Sequence, residues 1–101
     1  REQMTRVYSS EADLLNMALF GMTAVEWRST NPKLPGNMRD HATLEQLVVL
    51  SNMESINALL IRQSLDAPER LRQLNGVAIT QMKSLMSASV RKALGSKGRS
   101  T

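Results

Sequence analysis

Residues 43–62, Thr-Leu-Glu-Gln-Leu-Val-Val-Leu-Ser-Asn-Met-Glu-Ser-Ile-Asn-Ala-Leu-Leu-Ile-Arg, decide the fold. Apolar residues recur at Leu47, Leu50, Met53, Ile56 and Leu60, with Val49 and Leu59 widening the stripe. That spacing is the 3.6-residue period of an amphipathic helix. Thr43 stands where an N-cap belongs, and Glu45 and Gln46 fall in the first turn. The spacing predicts a helix over about 43–64. Leu47-Val48-Val49-Leu50 alone would also suit a buried strand. The helical spacing beyond it, and the lack of any partner strand elsewhere, favour the helix.

C-terminal to this stretch, Asp66-Ala67-Pro68-Glu69 reads as a second helix start. Asp66 is the cap, and Pro68 lies in the first turn, where its missing N–H costs nothing. Glu69 completes the capping box. Leu71, Leu74, Ala78, Met82 and Leu85 then follow at spacings of 3, 4, 4 and 3, a heptad-like seam. Gly95 is the expected stop. Gly76 interrupts the pattern at a cost of roughly 1 kcal/mol against alanine, and reads as a close helix contact or a kink. A helix over 68–94 would run about 40 Å. A compact 100-residue domain is roughly 34 Å across. The last helix should therefore overhang its domain. A second copy of the chain is the simplest cover for the seam, so a homo-oligomer, with a dimer favoured, is expected.

N-terminal to the deciding stretch are two shorter helices. Ser10 caps the run Leu14, Leu15, Met17, Ala18, with Asp13 in the box position, and Gly21 suits the C′ place. Thr23 and Glu26 form another box for a short helix through Trp27 and Arg28. Asn31-Pro32 ends it, because the residue before proline is pushed out of the α region. Lys33 to Asn37, with Pro35 and Gly36, is a turn. The expected fold class is all-α: two short helices, then an antiparallel pair of long ones. The expected organisation is a linker end at 1–8, a helical accessory or assembly domain at 9–90 and a basic disordered tail at 91–101.

Composition bounds the function. The chain has 101 residues, 42% hydrophobic and 22% charged, which suits one soluble globular domain. Tyr8, Phe20 and Trp27 are the only aromatics, so the core must be aliphatic and Met-rich. No cysteine is present. That removes disulfides, thiolate metal sites and thiol catalysis, and fits a cytoplasmic home. No apolar run approaches the ~20 residues that cross a bilayer, so no membrane partner is expected. A first residue of Arg1 and not Met reads as an excised or processed piece. The net charge of +4 is concentrated: Arg91, Lys92, Lys97 and Arg99 lie in residues 87–101, which contain no acid.

No catalytic residue, metal or cofactor is expected. His41 is the lone histidine and has no ligand partners at helical spacing. It reads as a surface or helix-start residue. No nucleophile elbow and no phosphate loop occurs. Glu54 reads as a flank residue pairing across helices. Trp27 and Arg28 are either a core-edge tryptophan with its neighbour or a stacking platform. Asn37, Arg39 and Asp40 are either turn and cap chemistry, with Arg39 paired to a carboxylate, or, with Trp27 and Arg28, a recognition loop. Leu71, Leu74, Ala78, Met82 and Leu85 are the expected oligomer or partner interface. Arg91, Lys92, Lys97 and Arg99 are either a phosphate-contacting arm or a solvated end.

Three stretches carry a family resemblance. They are EADLLNMALFGMTAVEWR (11–28), NPKLPGNMRDHATLEQLVVLSNMESINA (31–58) and APERLRQLNGVAITQMKSL (67–85). They resemble the C-terminal region of bacterial and prophage KilA-N domain proteins. The matching positions are Glu11, Ala12, Asp13, Leu15, Asn16, Phe20, Gly21, Thr23, Ala24, Trp27 and Arg28, then Gly36, Asn37, Arg39, Asp40, Ala42 and Thr43. Glu69, Arg70, Leu71, Leu74 and Asn75 follow, with Pro68 in place of a small polar residue. The match runs over about 8–86, and Gly76 departs from it. The resemblance implies a parent phage-type protein that binds DNA mainly through a KilA-N domain, a fold absent from this chain. It implies an accessory role here, in oligomerisation or protein-partner recruitment. The alternative is direct nucleic-acid binding through the basic end.

Overall fold

In a computed structural model the described residues are 8–99, with side chains at 8–88 and at Lys92. The chain is all-α. Helix α1 spans Glu11–Phe20 and α2 spans Ala24–Thr30. A single 3-10 turn follows at Met38–His41. The two long helices are α3, Leu44–Arg62, and α4, Ala67–Arg99.

The expected N-caps Ser10, Thr23, Thr43 and Asp66 are in place, but two expected box partners are used otherwise: the Asp13 carboxylate takes the Ser9 hydroxyl, and the Glu69 carboxylate takes Arg72 and Gln73. Ser10 accepts from the Asp13 N–H at 3.1 Å, and Asp13 in turn takes the Ser9 hydroxyl at 2.5 Å. Gly21 ends α1 in the left-handed conformation at φ 76°. Thr23 and Glu26 form a reciprocal capping box, and so do Thr43 and Gln46. Asp66 accepts from the Glu69 N–H at 3.1 Å to open α4.

The join between α3 and α4 uses a residue that no turn signal marked. Ser64 takes the left-handed conformation at φ 63°. Its N–H bonds to Ile61 O at 2.9 Å, and the Leu65 N–H bonds to Leu60 O at 3.2 Å. Those two bonds form the Schellman motif, and Leu65 packs on the core to complete it.

Helices α1, α3 and α4 share one core, and α4 packs on both of the others. Leu14, Leu15, Met17 and Ala18 come from α1. Val49, Leu50, Met53 and Leu60 come from α3. Leu71, Leu74 and Ala78 come from α4. This arrangement corrects two expectations. On α3 the buried arc is Val49, Leu50, Met53, Asn57 and Leu60, while Leu47 and Leu59 are 40% and 53% exposed. The arc turns because α3 is contacted from two sides. On α4 the expected oligomer seam is closed within the chain: Leu71, Leu74 and Ala78 are buried, and Met82 and Leu85 pack against them. Helix α1 and helix α3 supply the cover that a second copy was expected to supply.

Two further differences lie at the ends. Tyr8 is half-buried against the core, so the packed structure begins one residue before the expected boundary; residues 1–7 lie outside the described residues. Helix α4 continues past Gly95 to Arg99. A glycine stop of the Schellman kind wants an apolar residue just beyond it, and Ser96 stands there. Basic residues in a last turn also suit the negative end of the helix dipole. The 33 residues of α4 span about 50 Å and set the long axis of a molecule measuring 54 × 38 × 22 Å. The expected overhang is present. The Asn52–Gln81 hydrogen bond sets the antiparallel register of α3 and α4, which places Leu44 opposite a position near residue 89.

Gly76 marks neither a kink nor a close contact. A Cβ there would meet nothing within 4 Å, and α4 runs through it unbroken. Gly76→Ala should therefore raise the unfolding free energy by about 0.5–1 kcal/mol, read from urea denaturation followed by circular dichroism.

Candidate functional site

The residues expected as a recognition loop come together at one corner, formed by α2 and the 3-10 turn. Trp27 lies at its centre. The His41 ring stacks on it with centroids 5.2 Å apart and planes tilted by 32°. The Arg28 guanidinium sits over the Trp27 ring at 4.8 Å from its centroid, within cation–π range. No residue of α2 is buried, so Trp27 is a half-buried stacking residue and not a member of the core.

The polar atoms of this corner mostly bond the chain itself. Arg28 Nη1 donates to Asn31 O at 3.0 Å and Leu34 O at 2.7 Å, and Nη2 donates to Gly36 O. One guanidinium thus ties down the whole 31–36 turn. His41 Nε2 donates to Pro35 O at 2.7 Å. Asn37 Oδ1 accepts from the N–H groups of Arg39 and Asp40, and Asp40 Oδ2 accepts from the Asn37 N–H at 2.9 Å. The turn-and-cap account of Asn37 and Asp40 holds. Arg39 reaches Glu54 at 3.6 Å and donates to Asn16 Oδ1 at 3.3 Å, joining the 3-10 turn to α3 and α1. What remains open is a pocket of about 180 Å³ with Phe20, Met22, Trp27 and Met38 as walls and His41 and Gln46 as polar edges. It has room for one or two apolar side chains.

Gly36 is required at this corner. Its φ is +76°, and an added Cβ would lie 2.5 Å from Asp40 Oδ2. Gly36→Ala should cost about 1–2 kcal/mol, from the strained backbone and the displaced Asp40 cap. Thermal unfolding would read the loss. A full-stability variant would show that the cap rearranges freely.

Sequence reasoning missed the tie at the other end of the molecule. Arg70 is 9% exposed, and its guanidinium bonds two other helices and the turn that precedes its own. Its Nη2 donates to Glu11 at 2.7 Å, its Nε to Asn57 Oδ1 at 3.0 Å, and its Nη1 to Leu65 O at 2.7 Å. Asn57 Nδ2 closes the triangle on Glu11 at 2.9 Å. Helices α1, α3 and α4 meet in these three side chains. Asn75 adds a second tie, donating to Ala18 O at 2.9 Å and so satisfying a free carbonyl in the last turn of α1. One signal was readable: Asn57 stands between Met53 and Leu60 at core spacing, and a polar residue there needs a partner. Among the described residues no buried side-chain nitrogen or oxygen lacks one.

The basic positions lie on α4. Lys92 is exposed; the side chains of Arg91, Lys97 and Arg99 lie outside those described. Nearer the start of α4, Arg72 donates to Glu69 and holds its carboxyl below the usual carboxylate range. That pair cancels locally. After Glu69 the chain contains no acidic residue. No group of three or more His, Cys, Asp or Glu among the described residues could hold a metal ion. None of the helices searched is long and apolar enough to cross a membrane. Comparison with protein-family models, curated proteins and solved structures returns no match.

Proposed function

We propose that this chain is the accessory C-terminal helical domain of a KilA-N type DNA-binding protein, and that it serves assembly of that protein or recruitment of a protein partner. The observation that carries the reading is where the resembling residues sit. Gly36, Asn37 and Asp40 close the 3-10 cap. Thr23 and Thr43 close the boxes of α2 and α3. Glu11, Arg70 and Asn75 tie α1 to α4 and α3. Residues used in this way hold a shape, and a held shape with exposed apolar side chains serves docking better than bond-making.

On this reading the chain is not an enzyme, takes no cofactor, and works in the cytoplasm of a host carrying a phage or prophage. DNA contact lies mainly in the KilA-N domain. A dimer suits such a protein because DNA half-sites come in pairs. The test compares the parent protein with a version lacking this domain. Loss of subunit assembly or of a co-purifying partner, with single-site DNA contact kept, supports the reading. Unchanged stoichiometry and partners would overturn it.

One observation favours a second reading, direct nucleic-acid binding through Arg91, Lys92, Lys97 and Arg99. These four lie on an acid-free stretch whose backbone is helical to Arg99. Four phosphate contacts would make duplex affinity fall about 100-fold between roughly 50 and 200 mM salt. Titration of duplex DNA with and without residues 91–101 checks this; no binding at low salt ends it.

A further inference from the structure

We infer that the open face of the α3–α4 pair is a self-association surface, whose occupant is the same face of a second copy of this chain. The inference rests on the assembly reading and gives it a contact. Outside the buried arcs the pair carries two stripes with identical spacing of 4, 3 and 4. They are Val48, Asn52, Ser55, Leu59 on α3 and Val77, Gln81, Ser84, Ala88 on α4; Val77, packed at the core's edge, and Gln81 are half-buried, and the other six are exposed. The Asn52–Gln81 hydrogen bond at 2.9 Å fixes both on one side. None of the eight is charged, in a chain with 22% charged residues. Depletion of charge is what distinguishes the centre of an interface from the rest of a surface.

The face has both a knob and a hole. Val48 and Leu59 are 42% and 53% exposed. A recess of about 160 Å³ opens between the helices, lined by Val48, Asn52, Gln81, Ser84 and Leu85. That is the scale of one aliphatic side chain. If α3 packs antiparallel on α3 of the second copy about the midpoint of Asn52 and Ser55, each Leu59 falls opposite the other copy's Val48 and its recess. The same register sets Glu45 of each copy, a half-buried residue that also interacts within its own chain, level with the other's Arg62, three residues outside the ends of the stripe. Charge complementarity thus selects the antiparallel pairing. Contact through the end of α4 would instead bring Arg91, Lys92, Lys97 and Arg99 against their own kind.

Area sets the size class of the contact. Helix α3, at 19 residues, runs about 28 Å, and two helices side by side are about 20 Å wide. About 560 Å² on each copy gives roughly 1,100 Å² in all, just above the ~1,000 Å² that marks a specific contact and below the ~1,600 Å² of a standard one. An interface at that low end of the size range should be reversible, so the dimer fraction should rise with concentration.

The experiment is sedimentation velocity on the whole chain from about 1 to 500 µM. Leu59→Asp, at a half-exposed position, should keep the helical spectrum of the monomer and weaken association at least ~30-fold. Glu45→Arg and Arg62→Glu should each weaken it about fivefold, because symmetry repeats each clash. The double variant should return to within about twofold of the original, which a merely structural effect of either change would not do. Because the chain contains no cysteine, Ser55→Cys gives an independent readout: a cross-linked dimer on mild oxidation, absent from an Ser29→Cys control. A dimer indifferent to Leu59→Asp and to the charge swap would overturn this surface while leaving the assembly reading standing. A monomer at 500 µM would overturn the self-association itself, and the assembly reading would then depend on the parent-protein comparison alone.

Discussion

Leu74→Ala should remove about 3–4 kcal/mol from the unfolding free energy. Leu74 has no exposed surface and sits where α4 meets both α1 and α3. Truncation loses the transfer free energy of the buried side chain and leaves a cavity that three helices can only partly close. A domain of this length has roughly 5–15 kcal/mol in total, so the loss is a large share of it. In urea the midpoint should fall by about 2 M, given a slope of about 1.5 kcal/mol/M for a small domain. The slope itself should not change. A loss under 1 kcal/mol would mean that the α1–α3–α4 core collapses around the gap, and that the packing described above is loose.

Arg70→Met should cost about 2–4 kcal/mol by a different mechanism. The methionine fills much of the volume, so the loss is not one of packing. It leaves Asn57 Oδ1 and the Leu65 carbonyl without their donor. The buried Asn57 acceptor without a partner carries its full desolvation penalty, about 1–3 kcal/mol, and the part-buried Leu65 carbonyl a smaller one. The Glu11 carboxylate contributes less, because its side chain is 52% exposed and water replaces the guanidinium. The mechanism has its own check. Asn57→Leu added to Arg70→Met removes the orphaned amide and should recover at least half of the loss, since replacing both partners is far cheaper than stranding one. A double variant as unstable as the sum of the singles would mean that the two side chains act independently.

These two positions separate what is local from what is not. Leu74 was legible as a core residue from spacing alone. Its use was not: a heptad-like seam looks the same whether it is covered by a helix of its own chain or by a copy. Arg70 gave no signal, because an arginine in the first turns of a helix is ordinary until the geometry shows its guanidinium closed over by Glu11, Asn57 and Leu65. The candidate corner divides in the same way. Gly36, Asn37 and Asp40 act within five residues, so their cap could be read. Arg28 bonding Leu34 and Gly36, and His41 stacking on Trp27, depend on how the turn folds back.

By itself the sequence determined that the chain is all-α, where each helix begins, and that its last helix is too long for its domain. Those features follow from side-chain period, caps and rise per residue, all of which act within a few positions. Only the tertiary structure decided which face of each long helix is covered. Period defines a stripe but carries no information about its partner. Helix α1, folding back across α3 and α4, took the seam that seemed left for a second copy.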